Sequence, residues 1–262
     1  MRRGFLAFGV ALGMASSAVA QTSEQSAAVQ QAVAVGIRLY QHDQAAWHST
    51  DAMLADLPAT VRTTVHGWVT EEIDQGIRVS FLTDGQPRVV YQALYRNAAV
   101  VSKGQVDLPL TELQERLNAA RLLAIHSSYM PCSANYNSVA LPRATPSADG
   151  SDVDVYLMPG TTDPNAALFG GFYRVAVDTR AGLVRDVHAF TNSCIALSLQ
   201  SPNAAERTAA LAISQIIGDT PTEVHVFQSF TMRLPVFVAT RSGTWEVAGA
   251  DVHLVQAPPV QH

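Results

Sequence analysis

Two short stretches of this chain repeat the same chemistry, a carboxylate and a histidine two residues apart: Asp186 with His188, and Glu223 with His225. On a β-strand, residues with this spacing share one face. A zinc or copper site needs three or four ligands that converge from separate segments, with carboxylates orienting the imidazoles. These four residues are therefore the metal-site candidates. The alternative, which we favour, is that the histidines are hydrogen-bonded structural residues.

A further pair of acids, Asp152 and Asp154, alternates with Val153 and Val155. On a strand, the two carboxylates and Tyr156 would lie on one face, where they could bind a cation or divide into a general acid and a general base. Ordinary sheet amphipathicity explains the same alternation as a solvated face opposite a buried one, and we favour that interpretation.

The strong catalytic motifs are absent from the sequence. It contains no G-x-S-x-G nucleophile elbow, no G-x-x-x-x-G-K-[ST] phosphate loop, no H-E-x-x-H zinc helix and no S-x-x-K signature. Enzymatic activity is therefore undecided from sequence, and a non-catalytic protein is favoured. No cofactor is predicted.

The first twenty residues have the pattern of a secretory signal peptide. Arg2 and Arg3 form a positive n-region, Phe5–Ala15 an apolar h-region too short to span a bilayer, and Ala18–Ala20 a small-residue cleavage site. We predict a signal peptide at 1–20 and a mature region at 21–262, and hence a periplasmic or secreted protein.

Cys132 and Cys194 are the only cysteines in the chain. An exported protein passes through an oxidising compartment, so we predict a Cys132–Cys194 disulfide. Closing so long a loop stabilises a fold by about 4 kcal/mol on the chain-entropy estimate. The alternative is a thiol nucleophile or redox-active pair, for which the usual C-x-x-C signature is missing.

The segment after the first cysteine carries several hydrogen-bonding side chains: Ser133, Asn135, Tyr136 and Asn137. A disulfide would immobilise this loop, and rigid presentation lowers the ordering cost of binding. These four residues are therefore candidates for ligand or partner contact. The alternative is that they satisfy the backbone groups of their own loop.

The charge balance excludes some partners. The chain holds 17 basic and 22 acidic residues, for a formal net charge of −5, and loss of Arg2 and Arg3 would make it more acidic. Binding to nucleic acid or to an anionic membrane needs a basic footprint, so neither is predicted. No run after the signal peptide reaches the roughly eighteen apolar residues of a membrane-spanning helix, so no transmembrane anchor is predicted.

Three stretches have helical signals. In the first, apolar residues recur at helical spacing along Val29–Tyr40. The second begins at Thr111, an N-cap residue that Gln114 follows three positions later. The third is predicted over 202–217, with Pro just inside its start and Gly just past its end.

Short β-rich runs separated by turn residues fill the rest of the chain. The runs predicted to pair as hairpins are Ile77–Leu82 with Arg88–Leu94, Tyr173–Val177 with Leu183–Phe190, and Val236–Thr240 with Thr244–Val247. The first pair is joined by Asp84-Gly85, which supplies the positive φ angle of a tight turn. Further strands are predicted at Val153–Met158, Glu223–Phe230 and Val252–Val255.

These elements predict an α+β fold in which helices pack on antiparallel sheets. Two organisations of the mature region fit the order of elements. One is three successive helix-plus-antiparallel-sheet units, at approximately 26–105, 106–200 and 201–256. The other is a single irregular α+β domain whose helices are evenly spaced.

The hairpin Tyr173–Val184 resembles a sequence pattern of PepSY-type exported domains: an aromatic residue, a strand, Asp178, a turn with Gly182, and a second strand. Those domains are helix-plus-antiparallel-sheet modules linked to inhibition or regulation. The resemblance is confined to this hairpin, and no functional residue is carried over from it.

The sequence therefore favours an exported, non-catalytic binding, inhibitory or cell-envelope accessory protein. Its expected partner is an unidentified envelope protein or a small ligand. The alternative is a metal-assisted periplasmic hydrolase that uses His188, His225 and the neighbouring carboxylates.

Overall fold

The computed structural model of the chain describes residues 22–160, 163, 165–200 and 208–256. The predicted signal peptide at 1–20 and the start of the third predicted helix, 201–207, lie outside the described residues. None of the helices in these ranges is long and apolar enough to cross a membrane.

The first element is a 34-residue helix, α1 (Ser23–Asp56). Its N-cap is Thr22, whose hydroxyl accepts from the backbone N–H of Gln25 while the Gln25 side chain accepts from the N–H of Thr22. This reciprocal capping box satisfies two of the N–H groups at the start of the helix. The helix ends at Leu57, before Pro58, and a single turn, α2 (Ala59–Arg62), follows.

The first sheet is a four-stranded antiparallel meander. Its strands, in both chain and spatial order, are β1 (Val65–Ile73), β2 (Gly76–Thr83), β3 (Arg88–Arg96) and β4 (Ala99–Pro109). The predicted hairpin is confirmed: β2 pairs antiparallel with β3, and Gly85 adopts a φ of +72° in the turn between them. The residues of α1 from Ala45 to Met53 cover one face of this sheet.

The second sheet follows α3 (Glu112–Ile125), which begins at the predicted capping box of Thr111 and Gln114. The six strands of this region are β5 (Tyr136–Pro142), β6 (Val153–Pro159), β7 (Ala166–Leu168), β8 (Tyr173–Asp178), β9 (Leu183–Ala189) and β10 (Ala196–Ser198). The sheet has the antiparallel order β5-β6-β8-β9, and the short strands β7 and β10 pair with each other. The predicted hairpin between β8 and β9 is confirmed.

The third sheet is formed by β11 (Leu211–Ser214), β12 (Val236–Thr240), β13 (Gly243–Ala248) and β14 (Asp251–Gln256). In the chain, the helix α4 (Glu223–Met232) lies between β11 and β12. β12, β13 and β14 form an antiparallel meander, so the third predicted hairpin is also confirmed. β11 pairs parallel with β12, and α4 is the crossover between them.

Two predicted elements in this region are wrong. Residues 208–217 are not helical: Leu211 is buried and pairs with Val236 in the sheet, whereas Ile217, the last residue of the predicted helix, is 39% exposed. The predicted strand Glu223–Phe230 is the helix α4. Six consecutive residues from Val224 to Ser229 are buried, so the segment lacks the solvent-facing stripe that distinguishes a helix from a buried strand.

The second sheet is the central layer and is covered on both faces. On one face its valines pack with α3 and with Val69 and Leu82 of the first sheet. On the other face Tyr156 packs with Leu39 of α1 and with α4. The α+β class with antiparallel sheets is thus confirmed, with one parallel pair added, while the division into three repeated units stays a prediction.

Candidate functional site

A row of polar side chains crosses the face of the second sheet that α1 and α4 cover. Strand register places Tyr156 of β6 beside Arg174 of β8, and Arg174 beside His188 of β9. Asp154 lies two residues before Tyr156 and therefore on the same face. A polar row on a sheet face that helices cover is unusual, because buried charges need partners.

A cavity of about 380 Å³ opens between α1 and this row. Its polar lining consists of Gln31, Arg38, Arg143, Asp154, Tyr156 and Arg174. Val35 of α1 and Leu141 of β5 supply an apolar wall. The site therefore combines charged groups with a limited apolar surface, as pockets for small ligands do.

Two of the three arginines that line the cavity are held by carboxylates. Arg143 donates two hydrogen bonds to Asp154, with Nε–Oδ2 2.8 Å and Nη2–Oδ1 2.6 Å. Arg38 donates from Nε to Glu72 Oε1 of β1 at 2.7 Å. These pairs fix the walls of the cavity and neutralise two of its positive charges.

Glu223, the first residue of α4, contacts the row from the side of the sheet that α4 covers. The Tyr156 hydroxyl donates to its Oε1 atom at 3.0 Å. Burial, with the negative charges of Glu223 and Asp154, raises the pKa of Tyr156 well above its usual value. Tyr156 is therefore a neutral hydrogen-bond donor that holds Glu223 in place, and it cannot serve as a base.

Arg174 differs from its neighbours because nothing in the described part of the chain accepts a hydrogen bond from it. Its Nη1 lies 3.8 Å from Glu223 Oε1, which is an ion pair beyond hydrogen-bonding distance. Its Nε is buried and has no hydrogen-bond partner among the described residues, although 34% of the side chain as a whole is exposed. A shielded donor without an acceptor costs about 1–3 kcal/mol.

The four metal-site candidates are only partly brought together. Glu223 and His188 both adjoin Arg174, but Asp186 is exposed beside Ala176 on the edge strand β9. His225 is on a helix instead of a strand, so it does not share a face with Glu223. Within the described ranges, no group of three or more His, Cys, Asp or Glu side chains is placed to hold a metal ion.

His225 caps its own helix. Its Nδ1 accepts from the backbone N–H of Thr222 at 3.0 Å, the position that Gln25 and Gln114 fill in the other two capping boxes. Burial lowers the pKa of His225 to about 4. The imidazole is thus neutral, with its Nδ1 lone pair committed to the helix start.

The predicted disulfide is confirmed, with Cys132 and Cys194 joined at an S–S distance of 2.05 Å. In the adjoining loop, the Tyr136 hydroxyl accepts from the N–H of Cys132 at 2.9 Å and donates to the carbonyl of Gly171 at 3.0 Å. Ser133 Oγ donates to the carbonyl of Gly160. These two side chains of the predicted binding loop therefore organise backbone around the disulfide.

The remaining two candidates of that loop are exposed. Asn135 hydrogen-bonds through its backbone N–H to Ser133 Oγ, at 3.2 Å. Asn137, near the start of β5, hydrogen-bonds Asp43 of α1. This bond lowers the pKa of Asp43, but burial has the larger effect and raises that pKa to about 6. Neither residue lines the cavity at Arg174.

The acids Asp152 and Asp154 do not form a pair. Asp152 precedes β6, and its carboxylate accepts from both the N–H and the hydroxyl of Thr179, at 2.8 and 2.7 Å. Asp154 is engaged by Arg143 on the sheet face. One acid therefore ties a turn to the end of the sheet, and the other belongs to the wall of the cavity.

A hydroxyl, an imidazole and a carboxylate line up at another place, between α1 and β1. His42 Nδ1 lies 2.7 Å from Thr70 Oγ1, and His42 Nε2 lies 3.1 Å from Glu72 Oε1. His42 is 1% exposed and Thr70 is 3% exposed. Because no substrate reaches the sealed hydroxyl, this chain of hydrogen bonds joins helix to sheet and does not form a reactive site.

Sequence reasoning did not single out Arg174, Arg143 or Arg38. The available signal was Arg174 itself, a charged residue in the middle of the predicted strand Tyr173–Val177. Alternation alone assigns such a residue to a solvated face. Only the covering of that face by α1 and α4 turns it into part of a cleft.

Comparison with known proteins gives no match: no protein-family model, no curated protein and no solved structure is significantly similar to this chain.

Proposed function

We propose that this protein is an exported, non-catalytic binding protein, periplasmic or secreted, that takes a small ligand into the cleft between α1 and the second sheet. Arg174 binds an anionic group of that ligand. The signal-peptide pattern at 1–20 and the disulfide support export. A concave cavity, in place of a flat surface, favours a small ligand over an envelope protein.

The guanidinium of Arg174, which lines the cavity and donates no hydrogen bond to any described residue, is the observation that carries this proposal. Guanidinium is the side chain best suited to carboxylate and phosphate oxygens, because its fixed fork of donors matches their geometry. Partial burial strengthens that attraction, since fewer water molecules compete. The Arg174 side chain lines the cavity and is 34% exposed, so its guanidinium can offer donors to a ligand oxygen.

The rest of the cavity is organised before any ligand arrives. Arg143 is held by Asp154, and Arg38 is held by Glu72. Ordered walls reduce the entropy that a ligand must overcome on binding. The volume of about 380 Å³ lies at the lower end of the range for small-molecule sites.

A binding role fits the cleft better than catalysis. Its tyrosine remains protonated, its two acid–arginine pairs are internally satisfied, and its lining contains no cysteine, serine or threonine that could act as a nucleophile. The hydroxyl of Thr70, which His42 contacts, is buried and does not line the cavity.

Calorimetric titration of the purified protein with small carboxylates, phosphate and sulfate tests the proposal. We expect at least one of these anions to bind and Arg174→Gln to weaken binding about tenfold to a hundredfold, since a hydrogen bond to a charged group contributes about 1.5–3 kcal/mol. Arg180→Gln is the matched control, because Arg180 is exposed and does not line this cavity. Equal binding by the Arg174→Gln and Arg180→Gln variants would contradict the assignment.

A further inference from the structure

We infer that the ligand is a zwitterion, an α-amino acid with an aliphatic side chain, whose carboxylate lies on Arg174 and whose ammonium lies on Glu223. This inference rests on the proposed function and names the ligand class of the same cleft.

Glu223 has acceptor capacity to spare. Its Oε1 atom accepts from Tyr156 at 3.0 Å and faces Arg174 at 3.8 Å. Its Oε2 atom accepts from no residue in the described ranges. A carboxylate offers about four acceptor positions, so Glu223 can receive the N–H groups of an ammonium without giving up Tyr156.

The charges around the cavity favour a ligand that carries both signs. Within the lining, Arg143 cancels Asp154, and Glu72 cancels Arg38. This leaves Arg174 as a positive group, with the negative Glu223 directly behind the lining, in contact with Arg174 and Tyr156. A purely anionic ligand on Arg174 would meet the negative charge of Glu223, whose side chain is only 13% exposed and poorly screened. An ammonium on the same ligand turns that repulsion into attraction.

The spacing of these two groups matches an α-amino acid. Arg174 Nη1 and Glu223 Oε1 are 3.8 Å apart, and an α-amino acid carries its carboxylate and its ammonium on a single carbon. One such ligand can therefore contact both groups at once. Val35 and Leu141 provide the apolar wall that an aliphatic side chain would contact.

The experiment compares L-valine with two analogues that each lack one charged group: isovalerate, without the ammonium, and isobutylamine, without the carboxylate. Titration calorimetry at neutral pH should show L-valine binding at least tenfold more tightly than either analogue. Glu223→Gln should lower the affinity for L-valine to that for isovalerate without weakening isovalerate. Arg174→Gln should weaken binding of both about tenfold to a hundredfold.

Tyr156→Phe is the second variant, because it removes the hydroxyl that holds Glu223 and keeps both charges. It should retain the preference for L-valine over isovalerate, and thermal melting shows that each variant is folded. If isovalerate binds the unaltered protein as tightly as L-valine, or if other anions bind and L-valine does not, the amino-acid inference is wrong and the anion-binding function stands. If neither L-valine nor any anion binds, the proposed function itself fails.

Discussion

Gly36 of α1 lies against Val226 of α4 so closely that a Cβ atom at position 36 would stand 2.6 Å from the Val226 Cβ and 2.8 Å from the carbonyl oxygen of Glu223. At this point the backbone of α1 therefore packs directly against a side chain of α4. The contact also places the first residue of α4 above the second sheet, where Glu223 faces Arg174.

We expect Gly36→Ala to destabilise the protein. Overpacking of this kind costs about 1–3 kcal/mol, which exceeds the roughly 0.5–1 kcal/mol that alanine gains over glycine within a helix. Urea unfolding followed by circular dichroism measures the difference. Gly104→Ala in β4 is the control, because a Cβ there meets nothing within 4 Å, so this variant should gain roughly 0.5–1 kcal/mol of stability. A Gly36→Ala variant as stable as this control would mean that the helices separate without cost.

Loss of the disulfide should lower the free energy of unfolding by about 2–5 kcal/mol. The bond joins residues 62 positions apart, and it anchors the loop that Tyr136 organises. The measurement is urea unfolding of a Cys132→Ser, Cys194→Ser double variant. Reductant should destabilise the unaltered protein to the same extent, since Cys194 is exposed, and should have no effect on the double variant. Unequal losses would indicate that the serines disturb the loop by another route.

Replacing His225 by Gln should change how stability depends on pH. Burial lowers the pKa of His225 to about 4, below its unfolded value of 6.5, so the unfolded chain takes up a proton between these pH values and the folded protein does not. The unaltered protein therefore loses stability from this residue as the pH falls from about 6.5 to about 4. The limiting slope is about 1.4 kcal/mol per pH unit.

The glutamine variant keeps the capping box, as Gln25 and Gln114 do in α1 and α3, and it has no such titration. Its stability relative to the unaltered protein should rise steadily as the pH is lowered through this range in urea unfolding. The comparison needs the variant, because the raised pKa of Asp43, about 6, makes the folded protein gain stability over part of the same interval. A stability difference that does not vary with pH would contradict the assignment.

The sequence was informative wherever local chemistry decides structure. Thr111 with Gln114 marks the start of α3, and Asp84-Gly85 marks a hairpin, because capping and turn geometry depend on residues a few positions apart. The pairing of Cys132 with Cys194 needed only the count of cysteines and the predicted compartment.

Where burial decides structure, the same reasoning failed. Glu223–Phe230 alternates like a strand, but α4 is covered on nearly all sides, so its helical period is hidden. His225 as a capping residue was also missed, because the capping box is defined with Glu or Gln at that position. Arg174 could not be found because the helix that covers it, α1, precedes it by more than a hundred residues.

The path of α1 has a consequence for how the protein folds. This one helix, roughly 50 Å long, contributes Val29 to the core of the third sheet, Leu39 to that of the second and Met53 to that of the first. Its closest helical partner, α4, is near the other end of the chain. Such distant pairings form late and slow folding. The part of α1 around Val29 therefore stays uncovered until nearly the whole chain is available, whereas the part around Met53 can pack earlier on the first sheet. A fragment that lacks α1 would leave all three sheets with an open face, which makes the first helix a shared requirement for the stability of every sheet.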